Sequence, residues 1–140
     1  MNESEHGQPV VCIFTSADGT SRLADGRIPL RVGERGVWSD SRGAKSWLVA
    51  KGLPVGAKDW HRGSTAVLSI VTSGAWEIEA GNGEKRRLVA GSLLAVLDTS
   101  GQGHRSRVLG DEPCVVVGIE LEGEVEDLLR LFTNGAVSDA

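Results

Sequence analysis

The chain's pattern predicts an all-β fold, a sandwich or barrel with one short C-terminal helix. Two observations carry that prediction. Turn signals recur roughly every 8–12 residues, the spacing of short hairpin-linked strands and not of βαβ units. A helical period of apolar residues occurs once, near the end of the chain.

Taken in order, "PVVCIF" (9–14), "RIPLRV" (27–32) and "SWLVAKG" (46–52) read as short strands. Gly- and Ser-rich connections at 15–26 and 33–45 separate them. "TAVLSIVTSG" (65–74) is almost continuously apolar, as expected of a strand buried on both faces. In "AWEIEAGNGEKRRLV" (75–89), Trp76, Ile78 and Ala80 alternate with Glu77 and Glu79, the period of a half-buried strand. "GNG" then supplies the residues a hairpin turn needs. Lys85, Arg86 and Arg87 on the returning strand are expected opposite Glu77 and Glu79 as solvated pairs. "GSLLAVLDT" (91–99), "HRSRVLG" (104–110) and "EPCVVVGIEL" (112–121) complete the strands. In "GEVEDLLRLF" (123–132), Val125, Leu128, Leu129 and Phe132 share one face of a helix. Asn134-Gly135 is its natural stop. The organisation expected is one domain over 1–140, with the barrel at about 9–121, the helix at about 123–132, and mobile ends at 1–8 and 134–140.

Composition narrows the function classes. The chain has 140 residues, 40% hydrophobic and 24% charged, with a net charge of −4. Such a balance offers no basic footing for nucleic acid. The opening "MNESEHGQ" has no apolar stretch of a secretory signal, and no run approaches the ~20 apolar residues of a membrane helix. Cys12 and Cys114 are not in CxxC spacing, which favours two reduced thiols and a cytoplasmic protein.

Two stretches resemble the cupin superfamily, whose fold is a small jelly-roll β-barrel. The first is "DWHRGSTAVLSIVTSGAWEI" (59–78), where a His precedes a buried strand ending in Gly. The second is "GSLLAVLDTSGQGHR" (91–105), a Gly-initiated strand followed by a turn and a His. With the hairpin between them and the flanking strands, the resemblance reaches most of 9–121. More narrowly, the chain is similar to small single-domain bacterial cupins with a D-T-x-G-x-G-H turn.

The resemblance implies a metal site of two His, a Glu and a further His. Placed on this chain, the first His position is His61, the second is Gly63, the Glu position is Val67 and the last His is His104. Two of four ligands remain. Asp59, two residues before His61, is the candidate third metal ligand with His61 and His104; Asp98 is a further carboxylate near the turn. The implied ion is a divalent Zn, Fe, Ni or Mn in an incomplete site. Trp38 and Trp47 are candidate walls of a ligand pocket alongside His61 and His104, whereas Trp76 reads as core. Trp60 is expected on the face opposite His61. The Gly101-Gln102-Gly103 turn is expected to aim residue 104 into the barrel mouth beside residue 61. The function expected is a homodimeric cupin-domain protein that binds a small polar molecule. The alternative is a small metal-dependent isomerase, epimerase or dioxygenase in which His61 or His104 ligates metal or moves protons. Whether the chain is catalytic stays open at this stage.

Overall fold

The computed structural model describes residues 7–56 and 59–137, so His6 and the outermost expected mobile residues lie outside it. The chain is mostly β. Its strands are β1 (Gln8–Thr15), β2 (Ser21–Ile28), β3 (Arg31–Gly33), β4 (Gly36–Trp38), β5 (Ala44–Gly52) and β6 (Val67–Ser73). They continue as β7 (Ala75–Glu79), β8 (Lys85–Val89), β9 (Leu93–Val96), β10 (Arg105–Leu109) and β11 (Cys114–Leu121), and one helix, α1 (Val125–Thr133), follows.

Six strands form the main sheet in the order β2-β1-β9-β6-β11-β5. All neighbours in it are antiparallel except β1 and β9. A second sheet, β10-β7-β8, and the hairpin β3-β4 stand apart from it in the hydrogen-bond pattern. The sheets do not join edge to edge into a closed barrel.

Alternation along β1 shows why its run is apolar on both parities. Val10, Cys12 and Phe14 pack with Leu128, Leu129 and Phe132 of α1, on the outer side of the main sheet. Ile13, on the other parity, packs with Ile78 and Leu88 of the smaller sheet. The main sheet therefore carries a core on each face, and each core buries one register of the same strands. The helix face anticipated from the sequence is the buried one. Burial also makes the Cys12 thiol inert, pushing its pKa up to about 12, with Asp25 adding to the effect.

Several expected boundaries are corrected. Residues 21–26, expected as connection, belong to β2, and Arg31–Gly33 is a separate strand. The chain breaks at Pro29-Leu30 between them, where Pro29 has no N–H to give a ladder. Gly36–Trp38, also expected as connection, forms β4. At the expected mobile N-terminal end, Gly7 is buried and its carbonyl accepts a hydrogen bond from Arg27 Nη1 at 2.7 Å. Gln8 already belongs to β1. At the other end Asn134 caps α1 in the left-handed region, its N–H donating to the Arg130 carbonyl. Val137 packs on the helix-side core.

The charged face of β7 and β8 is half-buried at its glutamates, and its partners differ from those expected. Glu77 and Glu79 lie opposite Arg87 and Lys85 in register. Their carboxylates instead accept from Arg107 and Arg105 of β10, at 3.0 and 2.9 Å. Arg86 turns to Asp25 of β2.

Candidate functional site

The two histidines meet. His61 and His104 form an isolated antiparallel bridge in which each main-chain N–H donates to the other's carbonyl at 2.8 Å. Directly opposed residues project to the same side, and the rings pack edge to face with centroids 4.6 Å apart. The turn before His104 makes this approach feasible. Gly101 and Gly103 both have positive φ, and a Cβ on Gly103 would strike the His61 carbonyl.

The two rings sit in different surroundings. His61 is exposed, and its Nδ1 donates to the main-chain carbonyl of Asp59 at 2.9 Å. His104 is 4% exposed, and its Nδ1 donates to Asp98 Oδ2 at 2.6 Å. A carbonyl can only accept, so His61 carries a proton on Nδ1. The Asp98 carboxyl engages His104 through the same ring nitrogen, Nδ1. Asp98 itself is fully buried, and its Oδ1 has no hydrogen-bond partner. Such an orphaned oxygen is rare in a folded interior.

Alternation sends the neighbours outward. Arg105 lies 4.9 Å over the Trp60 ring and pairs with Glu79 on the outer face. Its hydrogen bond to Glu79 holds that carboxyl below the usual carboxylate range. Trp60 thus sits on the face opposite His61, where strand parity places it.

Ser106, two residues beyond His104 and on the same side, opens onto a cavity of about 510 Å³ between the sheets. Ser64, Thr65, Ser69 and Trp76 also line it, with Leu48 of β5 at its open side. The expected walls Trp38 and Trp47 do not. On β5 it is Ser46, Leu48 and Ala50 that line the cavity, so Trp47 points away and is 76% exposed. Trp38 lies over Gly33 of its own hairpin and is 65% exposed. Trp76, expected as core, does pack against the inter-sheet core and also forms part of the cavity wall. Its strand faces the core at Ile78 and the cavity one step earlier, a difference that period-two alternation does not reveal.

The residues at hand fit a resident metal poorly. Among the described residues no group of three His, Cys, Asp or Glu side chains is placed to hold an ion. Asp59 gives His61 its carbonyl and not its carboxylate. Asp98 Oδ2 is engaged by His104. Two imidazoles fall short of the three or four ligands of a tight site.

No protein-family model and no curated protein matches the chain. Among solved structures it is similar to protein NMB1881 from Neisseria meningitidis, at 19% identity and a TM-score of 0.43, over 59% of this chain and 79% of that one. It is also similar to a protein described as ethanolamine utilization protein Q from Salmonella typhimurium, at 10% identity and a TM-score of 0.34. There the overlap covers 82% of this chain and 96% of the other. At these scores the likeness decides neither fold nor activity. No helix among the described residues is long and apolar enough to cross a membrane.

Proposed function

We propose that this chain is a cupin-type jelly-roll protein that binds a small polar molecule between its sheets. The inner face involved runs from the His61–His104 pair to Ser106. The observation that carries the reading is the meeting of the two histidines, which brings residues 59–78 and 91–105 together at one point. The cavity begins one strand repeat further along, about 6.6 Å at ~3.3 Å per residue. Amide shifts recorded while a mixture of small polar metabolites is added are expected to cluster at residues 61–65 and 104–108. Shifts confined to α1 or to the β3–β4 hairpin would count against this site.

Metal takes no part in this reading, because two imidazoles without a free carboxylate hold a divalent ion weakly. Dialysis against a chelator is expected to leave the melting temperature within about a degree, since only an occupied native site adds stability. Stoichiometric metal surviving that dialysis would show a third protein ligand.

One observation favours a second reading, in which the chain is a small acid–base enzyme of the isomerase or epimerase kind. The Asp98 hydrogen bond holds the His104 ring by Nδ1 and leaves Nε2 outside that bond, the orientation an acid–base imidazole needs. Exchange of a carbonyl compound's α-hydrogen with solvent deuterium, abolished in His104→Ala, would support it.

A homodimer and a cytoplasmic location belong to the same proposal. Two free, buried thiols suit a reducing compartment. β1 has neighbours on both sides, so the main sheet's edges are β2 and β5, and β5 is the one with exposed large apolar side chains. Trp47 and Val49 stand exposed on its outer face, an unguarded apolar edge of the kind that pairs with another chain. Sedimentation at micromolar concentration is expected to report a dimer, with Trp47→Glu shifting it to monomer. A wild-type monomer would contradict this.

A further inference from the structure

Resting on the reading of the inter-sheet cavity as a binding site, we infer that its ligand is a molecule without negative charge and with an apolar body, held by the hydroxyls of Ser69 and Ser106. The two serines belong to different sheets, Ser69 to β6 and Ser106 to β10, and both line the cavity. They are 7% and 8% exposed. Neither hydroxyl is hydrogen-bonded to another described residue, and neither is a sealed orphan of the Asp98 Oδ1 kind, which fits hydroxyls that open onto the cavity. A serine hydroxyl offers one donor and two acceptor positions, so the pair recognises a hydroxyl, carbonyl or amide.

No unpaired positive charge lies on the described cavity wall. Arg107 and Glu120 are the charged residues on the cavity wall. Arg107 is exposed and committed to Glu77 at 3.0 Å. Glu120 accepts a hydrogen bond from Ser46 at 2.9 Å. The remaining wall near the serines is Val67, Val108, Val116 and the Trp76 ring. An anion entering there would give up its hydration without a free counter-charge, because Arg107 is already paired with Glu77, and this is costly. An uncharged ring or short chain buries its apolar surface against these side chains and satisfies both hydroxyls. The cavity, at about 510 Å³, lies in the ordinary range for small-molecule sites.

Three probes test this on the full-length protein: resorcinol (uncharged, two hydroxyls), benzene (no hydrogen-bonding group) and benzoate (anionic). Binding is followed by the amide signals of residues 67–71 and 105–108. Resorcinol is expected to bind at least about tenfold more tightly than benzoate. The double variant Ser69→Ala, Ser106→Ala is expected to lose about tenfold for resorcinol and nothing for benzene. Should the double variant not fold, each single variant is expected to lose about threefold for resorcinol. Equal binding of resorcinol and benzoate, or serine variants that bind resorcinol unchanged, would overturn the ligand class and leave the cavity as a binding site. Failure of all three probes to move these signals would overturn the cavity reading as well.

Discussion

Gly103→Ala is expected to cost the fold about 4 kcal/mol and to part the two histidines. Gly103 has φ of 81°, a region where a Cβ alone costs ~1–2 kcal/mol. An added Cβ would also overlap the carbonyl of His61 and lie 2.6 Å from the Arg62 nitrogen. Both neighbours are main chain, so no side-chain rotation relieves the overlap. The chain must open there, and the two 2.8 Å hydrogen bonds between His61 and His104 are lost, at ~1 kcal/mol each. Gly83→Ala is the control. Its φ is 91° and nothing lies within 4 Å of the added Cβ, so it should cost only the ~1–2 kcal/mol of backbone strain. Urea denaturation of both variants compares the two. If Gly103→Ala were no worse than Gly83→Ala, the close approach of the two histidines would be wrong.

That glycine was legible in the sequence because its neighbours were. A polar, glycine-hinged octet between two aliphatic runs signals a reversal, and the position of His104 after it points back toward His61. The strands buried on both faces were equally plain, since both parities of β1 and β6 are apolar. β2 was hidden for the opposite reason. Its sequence, "SRLADGRI", buries Ser21 and Leu23 and exposes Arg22 and other polar residues along an edge of the sheet. With a serine and a glycine among eight residues, it reads as a loop. Strand parity puts Trp76 on the face of Ile78, as found, but whether a tryptophan on such a face meets core or cavity, and whether Trp38 and Trp47 turn outward, is set by the packing of one sheet on another. Asp98 carried a readable clue, a carboxylate closing the apolar run "SLLAVLD". Its burial depends on His104, six residues away, covering it across the turn, and spacing alone does not specify that contact.

Asp98→Ala is expected to be nearly as damaging, at about 2–4 kcal/mol. The carboxylate is fully buried and its Oδ2 receives the His104 proton at 2.6 Å. Removing it leaves the His104 Nδ1–H without an acceptor where water does not reach, and leaves a void under the ring. Asp98→Asn should cost less, ~1–3 kcal/mol. Its amide oxygen can still accept from His104, while the NH₂ falls where Oδ1 now lacks a partner. The double variant Asp98→Ala, His104→Ala separates a specific bond from mere loss of volume. If the pair is held by that bond, removing both partners costs much less than the sum of the single losses, because no buried donor is then stranded. Nitrogen-15 spectra of the imidazoles give the second readout. The wild type should show His104 as its Nδ1–H tautomer, and Asp98→Ala should lose that preference while His61, held by the Asp59 carbonyl, keeps its own. Additive stability losses with an unchanged His104 tautomer would mean that Asp98 only fills space, and the acid–base reading of the site would fall with it.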